Sequence, residues 1–227
     1  MLAESIVNLS NIHKSYKAGS NRISVLRNID LIIHRGELLS IMGPSGSGKS
    51  TLLNILGALD RPDSGQYLFN GESMLQKHDK DLSAFRAKSI GFVFQTFNLV
   101  PSLNLIDNVK LPFFYTDVSG KNRDSQALEV IKLVGLENRI RHKPFELSGG
   151  EMQRCAIARA VAANPEMILA DEPTGNLDSK TGREILNLLE MLNSKGTTVV
   201  LITHDHHVAG RADRSVTLMD GGIIESS

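Results

Sequence analysis

Apolar positions along this chain fall into two kinds of short run. In the first kind they recur at every second position. Ile29, Leu31 and Ile33 do so within residues 25–33, and Arg35-Gly36 ends the run as a turn. That period predicts strands with one buried face over residues 25–33, and residues 6–12 read the same way. In the second kind the run is continuous, as in residues 37–42, 90–94, 167–170 and 197–203. Continuous runs separated by helical stretches predict parallel strands covered on both faces. A short strand, residues 66–69, lies between the turn signals Asp63-Ser64-Gly65 and Asn70-Gly71. Residues 216–219 and Ile223-Ile224 flank Asp220-Gly221-Gly222, which predicts a closing hairpin. Between about 98 and 147 the period changes. Ala127, Val130, Ile131 and Val134 follow a helical spacing and predict a helical insertion.

Composition narrows the picture. The 227 residues suffice for one large domain, or one domain with an inserted lobe. Basic and acidic side chains balance at 25 each, so no basic field points to a nucleic-acid partner. Cys155 is the only cysteine, which rules out an internal disulfide and fits a reducing compartment. The start, Met1-Leu2-Ala3-Glu4-Ser5, has an early acid and no apolar leader core. No stretch approaches the ~18 apolar residues of a membrane span. Service to a membrane would run through another chain.

The strongest chemical signal is Gly43-Pro44-Ser45-Gly46-Ser47-Gly48-Lys49-Ser50. It follows a buried-strand pattern and opens a helix expected from Lys49 to about Leu59, the context that a phosphate-binding loop requires. Gly43, Gly46 and Gly48 let the backbone approach phosphate closely. Lys49 supplies a charge to the β- and γ-phosphates, Ser50 a hydroxyl for magnesium, and Thr51 an α-phosphate contact.

Further candidates close the other apolar runs. Met167-Ile168-Leu169-Ala170 ends in Asp171 and Glu172. Asp171 can hold magnesium through its water shell, and Glu172 can orient or deprotonate the attacking water. Gln95 closes the run 90–94, where an amide could touch magnesium or that water. His204 closes the run 197–203, at the strand end where ligands bind in α/β sheets, and can donate to a γ-phosphate. A metal cluster in His204-Asp205-His206-His207 is the rival, disfavoured because adjacent residues do not easily converge on one ion.

A second glycine motif, Leu147-Ser148-Gly149-Gly150-Glu151, opens another helix, expected to run to about Ala163 with Cys155 and Ile157 packed inside. Ser148 and Glu151 fit a capping box. Two consecutive glycines weaken a helix start, and close approach of a foreign phosphate accounts for them. Arg154 and Arg159, farther along, are expected to pair with nearby acids. The economical arrangement is two copies facing each other, each phosphate loop completed by the partner's residues 147–151.

Together these motifs resemble the ATP-binding subunit of an ABC transporter, along essentially the whole chain and in the family's order. Residues 43–51 match Walker A, Gln95 the Q-loop, residues 147–151 the signature, and residues 168–172 Walker B. Asn176-Leu177-Asp178 matches the D-loop and His204 the switch histidine. Tyr16 matches the aromatic that stacks on adenine. The resemblance implies an α/β P-loop NTPase core (RecA-like) with a mainly parallel sheet, about residues 37–95 and 160–227. It implies an N-terminal antiparallel β subdomain, about 4–36 and 62–80, and an inserted α-helical subdomain, about 96–159. The implied cofactors are ATP and Mg2+. Tyr16, Gly43, Ser45, Gly46, Gly48, Lys49, Ser50, Thr51, Ser148, Gly149, Gly150 and Asp178 would bind nucleotide. Ser50, Gln95 and Asp171 would hold the metal, with Glu172, His204 and Gln95 catalytic. One departure stands out: the signature usually ends in glutamine, and here Glu151 replaces it, a carboxylate that must turn away from phosphate.

The finer resemblance is to the branch serving lipoprotein release, macrolide-type efflux and cell division. It implies a homodimer on ATP binding, a cytoplasmic location on the inner face of the cytoplasmic membrane, and an integral-membrane permease. Five of the eight phenylalanines lie between Phe92 and Phe114. The permease is expected to dock at segment 96–115 by helix-in-groove recognition. The alternative is a mechanotransmitting ATPase of the cell-division type that moves no cargo. Soluble repair or translation ATPases fit less well, since they carry two cassettes or a long coiled-coil insertion.

Overall fold

The alternation in residues 25–33 marks a strand, and the observed strand extends well past it at its N-terminal end. A computed structural model of the chain describes residues 4–19, 21–116 and 120–225. Met1, Leu2 and Ala3, read above for a leader, lie outside them. Along the chain come β1 (Ser5–Ala18), β2 (Asn21–His34), β3 (Leu38–Met42), α1 (Lys49–Leu56), β4 (Ser64–Phe69), β5 (Glu72–Ser73) and α2 (Asp79–Ser89). Then follow β6 (Ile90–Phe94), α3 (Leu105–Lys110), α4 (Gly120–Leu133), α5 (Gly149–Val161), β7 (Met167–Asp171), α6 (Ser179–Ser194), β8 (Thr198–Ile202), α7 (His206–Ala209), β9 (Arg214–Met219) and β10 (Gly222–Glu225). Two compact units result. One comprises the chain up to Leu82 and from Thr198 onward, the other Ser83 to Thr197.

The first unit holds an antiparallel sheet of order β2-β1-β4-β5. Ile29, Leu31 and Ile33 point into its core while Ile32 is exposed, as period-2 patterning requires. The β1–β2 register shifts repeatedly, between Leu9 and Ile12 and again before Ser15. Such bulges let β1 carry Asn11 and Lys14 without breaking its pairing. The same unit contains the parallel strands: β3 lies between β8 and β9, and β9 turns back into β10. Leu39, Ile41 and all of β8 are buried, which is why these runs are continuous in the sequence.

In the second unit β6 and β7 pair in parallel, with Phe94 opposite Asp171. Helix α5 packs so closely on β6 that a Cβ on Gly91 would sit 2.5 Å from the Ala160 carbonyl oxygen. Helices α3, α4 and α5 enclose a core of Leu105, Val109, Phe113, Ala127, Ile131 and Cys155. Burial pushes the Cys155 thiol up to about 12, so this cysteine is a packing residue. Helix α6 buries Ile185, Leu186, Leu189 and Leu192 along one stripe. Helix α1 ends at Leu56, short of the expected Leu59, because Gly57 takes the C-cap.

Candidate nucleotide site

In the first unit β3 runs straight into the glycine loop. Gly43, Gly46 and Gly48 have φ values of 154, 81 and 105°, conformations that L side chains resist. A Cβ on Gly43 would stand 2.2 Å from the Leu218 carbonyl oxygen. Gly48 is the N-cap of α1 and offers no side-chain cap, so the first N–H groups of α1 are left for an anion. The buried hydroxyl of Ser47 has no hydrogen-bond partner among the described residues. An orphaned donor beside a backbone cradle is what a bound phosphate would satisfy. Lys49 donates to the carbonyls of Gly43 and Pro44, at 2.7 and 2.8 Å, holding its ammonium against the loop. Ser45 and Gly46 lie exposed on the loop and Ser50 on the outer face of α1.

The Tyr16 hydroxyl donates to Asp60 at 2.7 Å and also feels the Thr51 hydroxyl in the first turn of α1. Lys14 pairs with the same carboxylate at 2.6 Å and lies 5.0 Å from the Tyr16 ring centre. Burial alone would raise the Asp60 carboxyl, but the Lys14 and Tyr16 hydrogen bonds outweigh it and hold it low. Burial and Asp60 in turn raise the Tyr16 phenol, which therefore stays a neutral ring at ordinary pH. The ring is 40% exposed, leaving surface for a flat ligand. His204 lies in the same unit, exposed, two residues past β8. Asp205 beside it accepts the His207 N–H and caps α7.

The second unit gathers Gln95, Asp171 and Glu172. Gln95 follows Phe94, whose partner across the β6–β7 pair is Asp171. Its amide nitrogen donates to Asn176 Oδ1 at 3.2 Å, and Asn176 donates back to the Gln95 carbonyl at 2.9 Å. Gly175 admits this pair, since a Cβ there would meet Gln95 Nε2 at 2.7 Å. Glu172 has φ 44°, a strained setting for a non-glycine residue and a mark of functional sites. The candidate metal ligands, Ser50 in the first unit and Gln95 and Asp171 in the second, offer a hydroxyl, an amide oxygen and a carboxylate, each a hard donor of the kind that suits Mg2+.

Ser148 caps α5 as a full capping box. Its N–H and hydroxyl both donate to Glu151 Oε2 at 2.8 Å, and Arg139 Nε donates to Glu151 Oε1 at 2.8 Å. The Arg139 guanidinium and the Ser148 N–H together hold the Glu151 carboxyl near 2, against 4.5 for an ordinary glutamate. Asp178 caps α6 through the N–H groups of Lys180 and Thr181.

Residues 26–175 match the family profile described as ABC transporter. The chain belongs to the ABC transporter ATP-binding family. This cassette is 51% identical to the ABC transporter ATP-binding protein YknY of Bacillus subtilis (strain 168) over 222 residues, 98% of this chain and 96% of that one. It is 45% identical over 226 residues to the macrolide export ATP-binding/permease protein MacB 2 of Aeromonas hydrophila subsp. hydrophila. That match takes in 100% of this chain and 35% of the exporter. A dimeric structure of a post-hydrolysis state of the ATP-binding cassette MJ0796, bound to ADP and Pi, matches with a TM-score of 0.89 at 48% identity, over 96% of this chain and 98% of that one. The fold is that of a P-loop NTPase, and the cassette is an ABC-type ATPase.

Several residues that shape the cassette escape a reading of the sequence. Arg159, expected to pair with an acid, instead donates to the carbonyls of Phe97 and Asn98, at 2.9 and 2.5 Å. Both residues have positive φ, so the loop after Gln95 needs an outside donor to hold its carbonyls. Arg154 does face an acid, Glu184, at 3.7 Å. Gln153, fully buried, donates to the Pro173 carbonyl just after Glu172, at 2.6 Å. One helix, α5, thus anchors the loops after β6 and β7 and begins with the signature. Asn176 was the one residue among these with a visible signal, its place in Asn176-Leu177-Asp178.

Proposed function

We propose that this cassette closes head to tail with a second copy around two Mg-ATP and drives an integral-membrane permease that exports cargo. The fit is to macrolide-type efflux or lipoprotein release. One observation carries this reading. The full chain aligns with MacB 2, whose name joins an ATP-binding part to a permease.

The residue roles follow from the chemistry. Backbone amides of Gly43 and of residues 45–48, with Ser45, Gly46 and Gly48 among them, cradle the β- and γ-phosphates, and Lys49 neutralises them. Thr51 meets the α-phosphate, and the Tyr16 ring, pinned by Asp60, takes the adenine. Ser50, Gln95 and Asp171 would hold Mg2+, which would supply charge neutralisation to the phosphates. Glu172 accepts a proton from the attacking water, a general-base role worth on the order of 10²–10⁴ in rate, and His204 donates to the γ-phosphate. Ser148, Gly149 and Gly150, with Asp178, complete the partner's site. The permease docks at segment 96–115, where Phe114 and Tyr115 are 68% and 69% exposed. No helix among the described residues is long and apolar enough to cross a membrane. In this reading, which follows the family resemblance, the cassette works from the cytoplasmic face through that permease.

Affinity purification from membranes is expected to bring down a permease with the tagged cassette. Glu172→Gln is expected to retain Mg-ATP and accumulate as a dimer in solution. A monomer at saturating Mg-ATP, even beside the permease, would refute the closure.

A further inference from the structure

A carboxylate at the end of the signature poses an electrostatic problem that Arg139 solves. We infer that Arg139 is a positioning residue for ATP-driven closure: it neutralises Glu151, so that the Ser148 hydroxyl can be given up to the partner's γ-phosphate. The inference rests on the head-to-tail reading above.

The Ser148 hydroxyl has a single hydrogen, and it is donated to Glu151 Oε2 at 2.8 Å. A phosphate oxygen is an acceptor, so Ser148 can bond it only by turning that hydrogen away from Glu151. A bare carboxylate would keep the hydrogen and would repel the phosphate as well. Here the other carboxylate oxygen is occupied by Arg139 at 2.8 Å, a pairing that lowers the pull of Oε2. When the hydroxyl leaves, Oε2 keeps the Ser148 N–H at 2.8 Å, so the cap of α5 survives the exchange. Glu151 is only 18% exposed at its side chain, so water is a poor substitute for Arg139. A glutamine at 151 would serve the same cap without a charge and would need no arginine.

The test is a charge cycle in the hydrolysis-dead Glu172→Gln chain, reading dimer formation against Mg-ATP by sedimentation. Fluorescent-nucleotide binding to the monomer serves as the folding control. Arg139→Ala is expected to raise the half-saturating ATP concentration about tenfold, the order of one uncompensated charge at surface dielectric. Arg139→Lys is expected to keep most of the closure. Adding Glu151→Gln to Arg139→Ala is expected to restore it, although the arginine is still missing. A purely structural role for Arg139 predicts no such rescue. If the Glu172→Gln parent itself never dimerises, the head-to-tail reading fails and takes this inference with it. If the parent dimerises and Arg139→Ala closes equally well, or the double variant is no better than Arg139→Ala, the neutralising role alone is overturned.

Discussion

Gly43, Gly46 and Gly48 stand at φ values of 154, 81 and 105°, whereas Gly149 and Gly150 have ordinary helical backbones. The two glycine motifs of the cassette therefore use glycine for different reasons. In the first unit the chain itself takes a left-handed path that other residues resist, and a Cβ on Gly43 would strike the Leu218 carbonyl. In the second unit the backbone is unremarkable and the neighbours are close. A Cβ on Gly150 would lie 2.5 Å from Thr181 Cγ2, and one on Gly149 would lie 3.3 Å from Leu177. Packing of α5 against α6 thus supplies an internal reason for a glycine pair that the sequence suggests is reserved for phosphate. Identical letters in a motif need not answer the same demand.

The largest effect should separate conformation from close approach within the first loop. Gly43→Ala adds backbone strain of ~1–3 kcal/mol and a clash with a carbonyl that cannot rotate away, worth ~1–3 more. Gly46→Ala meets nothing within 4 Å, so only its φ of 81° is strained, at ~1–2 kcal/mol. Thermal unfolding and ATP-analogue binding should both rank Gly43→Ala as far worse. Equal losses would mean that the approach of Leu218 is immaterial.

In the second unit, Arg159→Met removes two hydrogen bonds to carbonyls from a charged donor, each worth ~1.5–3 kcal/mol. ATPase activity should fall steeply while nucleotide binding at the first unit's loop persists. Loss of binding along with activity would contradict a role confined to the loop after Gln95.

Gly150→Ala is the variant that tests the packing account itself. It should cost ~1–3 kcal/mol as an overpacked contact. Thr181→Ser removes the offending Cγ2 yet keeps the hydroxyl that donates to Asp178 at 2.6 Å. The pair of substitutions should therefore recover the melting temperature. If phosphate also demands the glycine, ATP-driven dimerisation stays weak in the same recovered protein. If stability does not recover, packing is not the reason for Gly150.

How much of this was legible beforehand depended on whether one residue's neighbours in sequence were also its neighbours in space. The run 90–94 matches β6 residue for residue, because a strand covered at least in part on both faces is written in consecutive apolar letters. The loop at residues 43–50 follows β3 for the same reason. By contrast β1 runs to Ala18, through bulges and polar residues that no period marks, and α2 has few apolar positions to announce it. The Ser148–Glu151 cap was readable as a three-residue spacing. Its arginine, twelve positions earlier in the chain, was not, since only the fold of α5 against the preceding turn brings the two together. The partner of Arg159 was hidden for a related reason: a half-buried guanidinium is as well served by strained carbonyls as by an acid.

The smallest effect concerns that same cap and discriminates between the two motifs by pH. Glu151 titrates near 2 in the folded cassette and near 4.5 when released from Arg139 and Ser148. A depressed folded value stabilises above the unfolded one and is lost as acid protonates the carboxylate. Stability should therefore decline between about pH 5 and 2 more in the native sequence than in Glu151→Gln, which has no proton to take up. Solvent screening at this partly exposed pair reduces the difference to ~1 kcal/mol, so it is read from the gap between two pH–stability curves. On the proposed roles the phosphate loop binds through backbone amides of its own unit, so ATP-analogue binding should not distinguish the two proteins over that range. Parallel stability curves would show that Arg139 and Ser148 do not grip the carboxylate in solution. A pH-dependent gap in loop binding would show that the second motif's charge is felt at the first.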